Sequence, residues 1–133
     1  MRARLSKTRE QRGDSVALID DKPRILDALC MISGVKAVFP DWPETWQELP
    51  CVAVTESANQ SAEYRDDEEY ITELEYYVRV FARISEDRAA VSSAVDDTMR
   101  TLGYKRTFAW EEPGNEGGVR QKAIRYRKYF SAI

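Results

Sequence analysis

The stretch TELEYYVRVFAR at residues 72–83 decides the fold. Every second residue in it, from Leu74 to Ala82, is apolar or aromatic. A period of two predicts a strand that turns one face towards a core. On the opposite face, from Glu73 to Arg83, charges of both signs alternate with aromatic rings. This mixture is typical of a surface that contacts another protein chain.

Weaker patterns precede this strand. A first helix is expected within residues 14–32, with Pro23 in its first turn and an apolar stripe behind it. Residues 39–46 combine prolines with two tryptophans and are expected to be irregular. A short strand at 50–55 is followed by a polar, acidic loop at 56–69, which gives a hairpin with a long connection.

The elements after the strand are clearer. Ser85 begins a predicted helix with acidic residues in its first turn, and Gly103 ends it. Strands are expected at 104–111 and 119–130, joined by a glycine-rich turn. The order α-β-β-α-β-β predicts an α+β fold. In this fold, a mostly antiparallel four-stranded sheet carries two helices packed on one face.

Length and composition fit one small domain. The chain has 133 residues, of which 43% are hydrophobic, and this is enough for a single core. We expect a flexible basic arm at 1–13 and a single α+β domain at 14–133. No apolar run approaches the roughly 20 residues of a membrane span, and the arm lacks the apolar segment of a signal peptide. A soluble, cytoplasmic protein is therefore expected.

Catalytic chemistry finds little support in the composition. The chain has no histidine, which removes the commonest general base and the commonest metal ligand. Its two cysteines, Cys30 and Cys51, lie in apolar contexts and are interpreted as small core residues. The acidic run at 66–69 lacks the ligand spacing and the glycine of a calcium loop, so a solvated loop is favoured. We therefore predict no enzyme, no metal site and no cofactor.

Charge is unevenly distributed along the chain, although the net charge is only −3. Residues 56–75 contain eight acidic residues and one basic residue, whereas 119–130 contain five basic residues and no acidic ones. Such patches suit either nucleic acid or complementary contacts between copies of the chain. Contacts between subunits are favoured because the pI of 5.1 is unlike that of a nucleic-acid-binding domain. The predicted interface residues are Asp66, Asp67, Glu68, Glu69, Glu73, Glu75, Arg79, Arg120, Lys122, Arg125 and Arg127.

Aromatic residues form a further set. In the last predicted strand they alternate with basic residues, a pattern that can stack bases and neutralise phosphates on a sheet. Elsewhere they are expected to be core or interface residues rather than the lining of a ligand pocket. The latter group is Trp42, Trp46, Tyr76, Tyr77 and Trp110.

Several segments, taken in order, carry a family resemblance. LPCVAVTE at 49–56 precedes the acidic run, and YYVRVFA at 76–82 follows it. MRTLGYKRTF at 99–108 and KAIRY at 122–126 come next. Over about residues 20–130 the chain thereby resembles the tail terminator, or tail completion, proteins of long-tailed phages and prophages.

The resemblance implies a homo-oligomeric ring, expected to be a hexamer, in the tail or neck of a virion that assembles in the host bacterial cytoplasm. The ring would cap the tail tube, end tube polymerisation and present a surface to the head–tail connector protein. No membrane partner is expected, and nucleic acid stays open as a partner only through the ring channel. A head-side connector or neck protein is the nearest alternative. A nucleic-acid-binding α+β module that uses the last strand is the alternative from another class.

Overall fold

The structure is a computed structural model, which describes residues 18–65, 68–113 and 117–131. The predicted basic arm at 1–13 lies outside the described residues, so the division into arm and domain stays a prediction. The described residues form two helices and five strands. They are α1 (Lys22–Leu29), β1 (Ala37–Phe39), β2 (Cys51–Arg65), β3 (Glu68–Ala82), α2 (Ser85–Thr101), β4 (Lys105–Pro113) and β5 (Arg120–Ser131).

All five described strands belong to one mixed sheet, in the order β1-β2-β3-β5-β4. β1 runs parallel to β2, and every other neighbouring pair is antiparallel. The protein has an α+β fold, but the predicted four-stranded, mostly antiparallel sheet in the order α-β-β-α-β-β is wrong. The fifth strand is β1, which lies between the first helix and β2.

The short strand β1 escapes sequence-based prediction for two physical reasons. Ala37–Phe39 has only three residues and is followed by Pro40, so no alternation can be read and the prolines indicate irregular structure. Its pairing is also parallel, with Ala37 beside Cys51, so no tight hairpin turn marks it in the sequence. Only its contact with β2 makes it a strand.

The acidic loop predicted at 56–69 is also wrong. β2 continues to Arg65 and β3 begins at Glu68, so most of these polar residues extend the two strands. The residues between the strands, 66–67, lie outside the described part of the chain. Polar side chains are tolerated in these parts of the strands because backbone hydrogen bonds hold the ladder together. Side chains there, such as Tyr64, can therefore remain exposed to solvent.

Helix α1 is shorter than the predicted range of 14–32. It begins at Lys22, with Pro23 in the first turn, where a missing N–H costs nothing, and it ends at Leu29. Ile25 and Leu29 are four residues apart and fully buried, so this spacing fixes the face that packs against the sheet.

Helix α2 begins and ends close to the predicted residues, Ser85 and Gly103. Two acidic residues in its first turn suit the helix dipole. Val91, Val95 and Met99 repeat every four residues and are buried, so they form the stripe that faces the sheet. Gly103 then adopts a φ of +95°, a left-handed conformation that favours glycine.

The main core lies between the two helices and one face of the sheet, here called the helix-covered face. Its sheet residues are the predicted alternating set of β3 together with matching positions on β2 and β5. Their side chains face the helices because direct partners in a ladder point to the same side. The buried members of this core are Ile25, Leu29, Val52, Val54, Leu74, Tyr76, Val78, Val80, Val91, Val95, Met99, Tyr104, Ile124 and Tyr126.

Candidate interface on the open face of the sheet

The opposite face of the sheet, here called the open face, is built in rows that the strand register fixes. Tyr77 on β3 is opposite Arg125 on β5, which is opposite Phe108 on β4. In the next row, Arg79 on β3 and Trp110 on β4 lie on either side of a small alanine of β5. Because direct partners share a face, the register gathers aromatic rings and guanidinium groups from three strands.

Contacts between rings and guanidinium groups continue along this face. The Arg79 guanidinium carbon lies 5.4 Å from the centroid of Trp42 and 5.1 Å from that of Tyr77. Tyr77 meets Trp110 edge-on, with centroids 5.6 Å apart, and Trp110 lies 5.4 Å from Phe108. We call this set the aromatic–arginine surface. Its members are Trp42, Tyr77, Arg79, Phe108, Trp110 and Arg125.

The aromatic–arginine surface combines water-exposed rings with a restrained arginine. Phe108 is 54% exposed and Trp42 is 43% exposed, which leaves large apolar rings in water. The Nε atom of Arg79 is buried and has no hydrogen-bond partner among the described residues. Contacts with two rings offset part of that desolvation cost. They also hold the guanidinium in one orientation before any partner binds.

Further along the same face, acidic and basic side chains pair within the chain. The Oε2 atom of Glu73 on β3 lies 3.1 Å from the Nε atom of Arg127 on β5. The Oε2 atom of Glu75 lies 3.6 Å from the Nε atom of Arg125. A hydrogen bond from Arg127 to Tyr129, together with the nearby carboxylates, raises the pKa of this guanidinium. The central acidic and basic patches therefore neutralise each other across the β3–β5 ladder.

The structure sorts the predicted interface residues into three groups. Five of them lie together on the open face: Glu73, Glu75, Arg79, Arg125 and Arg127. Arg120 and Lys122 belong to the opposite face, since they align with Ala82 and Val80 of β3. The backbones of Glu68 and Glu69 lie in β3, while Asp66 and Asp67 fall outside the described residues.

Lys122 lies in an open groove between α2 and the edge of the sheet. The groove has a volume of about 540 Å³ and a mixed lining of both charges. Its strongest pairs are internal: Arg106 lies 3.1 Å from Asp96, and Arg100 lies 2.7 Å from Asp97. The groove is therefore mostly a set of paired surface charges, and the buried hydroxyl of Ser92 in its lining has no hydrogen-bond partner among the described residues.

Sequence reasoning missed Phe108, the most exposed ring of the aromatic–arginine surface. The signal was present, because Phe108 and Trp110 are two residues apart in a predicted strand and so share a face. The sequence did predict Trp42, Tyr77 and Trp110 as core or interface residues. Their mutual contact depends on the strand order, in which β5 separates β3 from β4.

One end of the sheet's outer side is closed by the segment between β1 and β2. Trp46 of this segment packs on Phe81 with ring centroids 5.1 Å apart, and Trp42 meets the same ring at 5.5 Å. Cys51 is fully buried beneath them, and burial together with nearby Glu48 raises the pKa of its thiol to about 11. A thiol that stays protonated is a poor nucleophile, so Cys51 is a packing residue. Cys30 is exposed, so the prediction that it is a core residue is wrong.

No group of three or more His, Cys, Asp or Glu side chains in the described part of the chain could hold a metal ion. Within the same residues, no helix is long and apolar enough to cross a membrane. The arrangement on the open face can provide ring stacking, cation–π contacts and guanidinium hydrogen bonds, which are means of binding rather than of catalysis.

No protein-family model matches this chain, and no curated protein matches it either.

Proposed function

We propose that this protein is a structural assembly protein that forms a ring on the tail tube of a phage, ends tube polymerisation and provides the head–tail joining surface. The proposal rests on the resemblance to tail terminator proteins and on one observation. That observation is the aromatic–arginine surface on the open face of the sheet.

The chemistry of this surface supports a protein partner. Tryptophan, tyrosine and arginine are the side chains that most often carry binding energy at protein interfaces. Here they lie side by side, and Arg79 is already held between two rings. A partner that covers Phe108 and Trp42 would remove their exposed apolar area from water at little ordering cost.

The pairing of charges within the chain indicates which part of the open face would contact the tail tube. Glu73 and Glu75 are neutralised by Arg127 and Arg125 of the same chain. The contact with the tail tube is therefore assigned to the aromatic–arginine surface rather than to the central acidic residues of β3.

Truncation of Trp42 tests the proposed function. Trp42 lies outside all five strands, so its loss leaves the sheet ladders intact. Trp42→Ala should weaken binding to purified tail tubes about 30-fold, the size of a hot-spot loss of ~2 kcal/mol. Tail length in electron micrographs should become variable. Met31→Ala, which removes an exposed side chain just after α1, is the matched control.

The outcomes of this experiment are distinct. Tight binding by the unaltered protein and the Met31 variant, with weak binding by the Trp42 variant, supports the proposal. An unaltered protein that neither binds tubes nor forms rings at any concentration overturns it. Equal binding by all three proteins would show that the aromatic–arginine surface does not contact the tail tube.

A single-stranded nucleic acid is the second candidate ligand of the open face, because exposed rings and arginines on a sheet can stack bases. Glu73 and Glu75 on the same face and the net charge of −3 oppose it. Oligonucleotide binding that falls with salt, with a slope reduced in Arg125→Gln and Arg127→Gln, would favour this candidate. Absence of binding at 50 mM salt would dismiss it.

A further inference from the structure

Strand β2 is paired on its outer side over only a short part of its length. It has 15 residues, but β1 covers only Cys51–Ala53. Among the described residues, no other strand and no backbone hydrogen bond from a loop reaches 54–65 from that side. The unpaired N–H and C=O groups of such a strand are a template for an added strand. Residues 54–65 of β2 thus form a free edge.

The described chain begins beside this free edge. The backbone oxygen of Ile19 accepts a hydrogen bond of 2.8 Å from the side-chain amide of Asn59, which belongs to the free edge. Leu18 is 83% exposed, so the chain reaches the surface at this point. The 17 residues before Leu18 lie outside the described part of the chain. This upstream segment, residues 1–17, is therefore tethered next to β2 before any contact forms.

The direction of the chain beside the free edge favours an antiparallel approach. Asp21 accepts a hydrogen bond from Tyr104, whose ring meets that of Tyr76 with centroids 5.9 Å apart. The ladder partner of Tyr76 in β2 lies three residues before Asn59, which contacts Ile19. From Asp21 back to Ile19, the chain therefore moves towards the C-terminal end of β2. The upstream segment continues this path when it runs antiparallel to β2.

The upstream segment is long enough to follow the free edge to its end. The part of β2 beyond Asn59 spans only about 20 Å at ~3.3 Å per residue. Seventeen residues reach up to roughly 58 Å when extended. Ser15 is four residues before Ile19, and Glu63 is four residues after Asn59. Antiparallel pairing that starts from the contact between Ile19 and Asn59 therefore places Ser15 beside Glu63.

The upstream segment and the end of the β2–β3 hairpin have opposite charges. Residues 1–13 contain five basic residues and one acidic residue, whereas 63–69 contain five acidic residues and one basic residue. Glu63 is exposed and has no ion-pair partner among the described residues, unlike the internally paired Glu73. Opposite charges steer two surfaces together and suppress wrong partners. The antiparallel direction brings Arg9 and Arg12 to this acidic end of the hairpin.

We infer that residues 9–17 of this chain pair antiparallel with 59–65 of its own β2, with their basic side chains at the acidic end of the hairpin. The occupant of the free edge is thus the upstream segment of the same copy. Its pairing covers an edge that would otherwise recruit other chains. The inference does not depend on tail-tube binding, so its failure would leave the proposed function standing.

Disulfide cross-linking tests the inference in the full chain. In a Cys30→Ser background, Ser15→Cys is combined with Glu63→Cys, while Cys51 stays buried. Mild oxidation should give a disulfide within one chain, because directly opposed residues of an antiparallel ladder are close enough for the bond. Peptide mass mapping identifies the bond, and a non-reducing gel shows whether it joins one chain or two.

The matched control combines Ser15→Cys with Thr55→Cys. Thr55 and Glu63 are each four residues from Asn59 and face the same side of the sheet, so a freely moving segment reaches both equally. The Glu63 pair should oxidise about tenfold faster than the Thr55 pair, because docking raises the effective concentration of one thiol near the other. Equal rates overturn the inference. A Ser15–Glu63 disulfide that joins two chains also overturns it, since the occupant is then a neighbouring copy.

Amide hydrogen exchange provides a second measurement that needs no oxidation. In the unaltered protein, the amides of 59–65 that do not bond to β3 should exchange slowly. Arg9→Glu combined with Arg12→Glu should speed their exchange about tenfold, because repulsion from the acidic hairpin end opens the added strand. Lys36→Glu, which reverses an exposed charge elsewhere, should leave these amides unchanged. Fast exchange of these amides in the unaltered protein would show that the edge is unoccupied and overturn the inference.

Discussion

The two faces of the sheet use aromatic residues in opposite ways. On the helix-covered side, tyrosines are buried and their hydroxyl groups donate to carboxylates. Tyr104 lies 2.6 Å from Asp21 and Tyr126 lies 2.9 Å from Asp96. On the open face, Phe108 and Trp110 contact each other and stay partly in water. Buried rings with satisfied polar groups stabilise the fold, whereas exposed rings offer unused contact area.

The buried tyrosines of the helix-covered face also have shifted pKa values. Burial is the main cause that raises the pKa values of Tyr76, Tyr104 and Tyr126, and the adjacent carboxylates add to it. Burial disfavours the charge of Asp21, but hydrogen bonds from Arg24 and Tyr104, with the positive charges of Arg24 and Lys128, together outweigh it and lower the pKa of this carboxyl. The ionisation of Asp21 on the helix-covered face is therefore coupled to stability.

The largest expected difference between the faces concerns truncation of a side chain. Leu74→Ala on the helix-covered face should lower the free energy of unfolding by about 2–5 kcal/mol, because Leu74 is fully buried. Phe108→Ala on the open face should lower it by less than about 1 kcal/mol, since Phe108 is half exposed. Urea denaturation of both variants measures the difference. Equal losses would show that the open face is part of the stabilising core.

Removal of one tyrosine hydroxyl should have the next largest effect. Tyr104→Phe deletes the hydrogen bond to Asp21 and should cost about 1.5–3 kcal/mol at neutral pH, the range for a bond to a charged group. Tyr77→Phe on the open face is the matched control and should stay within about 0.5 kcal/mol.

The pH dependence of this effect follows from the direction of the Asp21 shift. The folded pKa of Asp21 is lowered, so its contribution is present above the unfolded pKa of about 3.9 and is lost as the pH falls through the folded pKa. Tyr104→Phe raises that folded pKa. The stability difference between the two proteins should thus shrink below about pH 4, as measured by denaturation at several pH values. A difference that grows in acid would contradict the assignment.

The smallest expected effect concerns the ion pairs of the open face. A double-mutant cycle with Glu73→Ala and Arg127→Ala should give a coupling energy close to zero that weakens further in salt, because both side chains are partly exposed. A coupling as large as the effect of Tyr104→Phe would place this pair among the stabilising interactions. The two faces would then differ less in their contribution to the free energy of unfolding.

The helix-covered face was largely predictable from sequence. The alternation around Leu74 and Val78 and the four-residue spacing of Val91 and Val95 are local patterns, and they remain in the folded chain. The strand β1 was not predictable, because three residues carry no period. The polar ends of β2 and β3 were mistaken for a loop, since their strand structure comes from the ladder and not from burial.

The candidate interface was only partly predictable. The alternation of β3 places Glu73, Glu75 and Arg79 on one face, as the sequence indicates. The pairing of the two acids with Arg127 and Arg125 of the same chain required the register between β3 and β5. Phe108 belongs to this surface only because β4 lies next to β5 at the edge of the sheet. This spatial order differs from the order of the strands along the chain.

The stretch at 72–83 determined by itself that a half-buried strand lies at the centre of this protein and which of its faces joins the core. A period of two is a local property that survives in any sheet. Only the tertiary structure decided what its outer face meets: Trp42 from the β1–β2 segment, Arg125 from β5 and, through them, the rings of β4. The reason is that neighbours across a sheet are chosen by strand order and register, which depend on the packing of the whole chain.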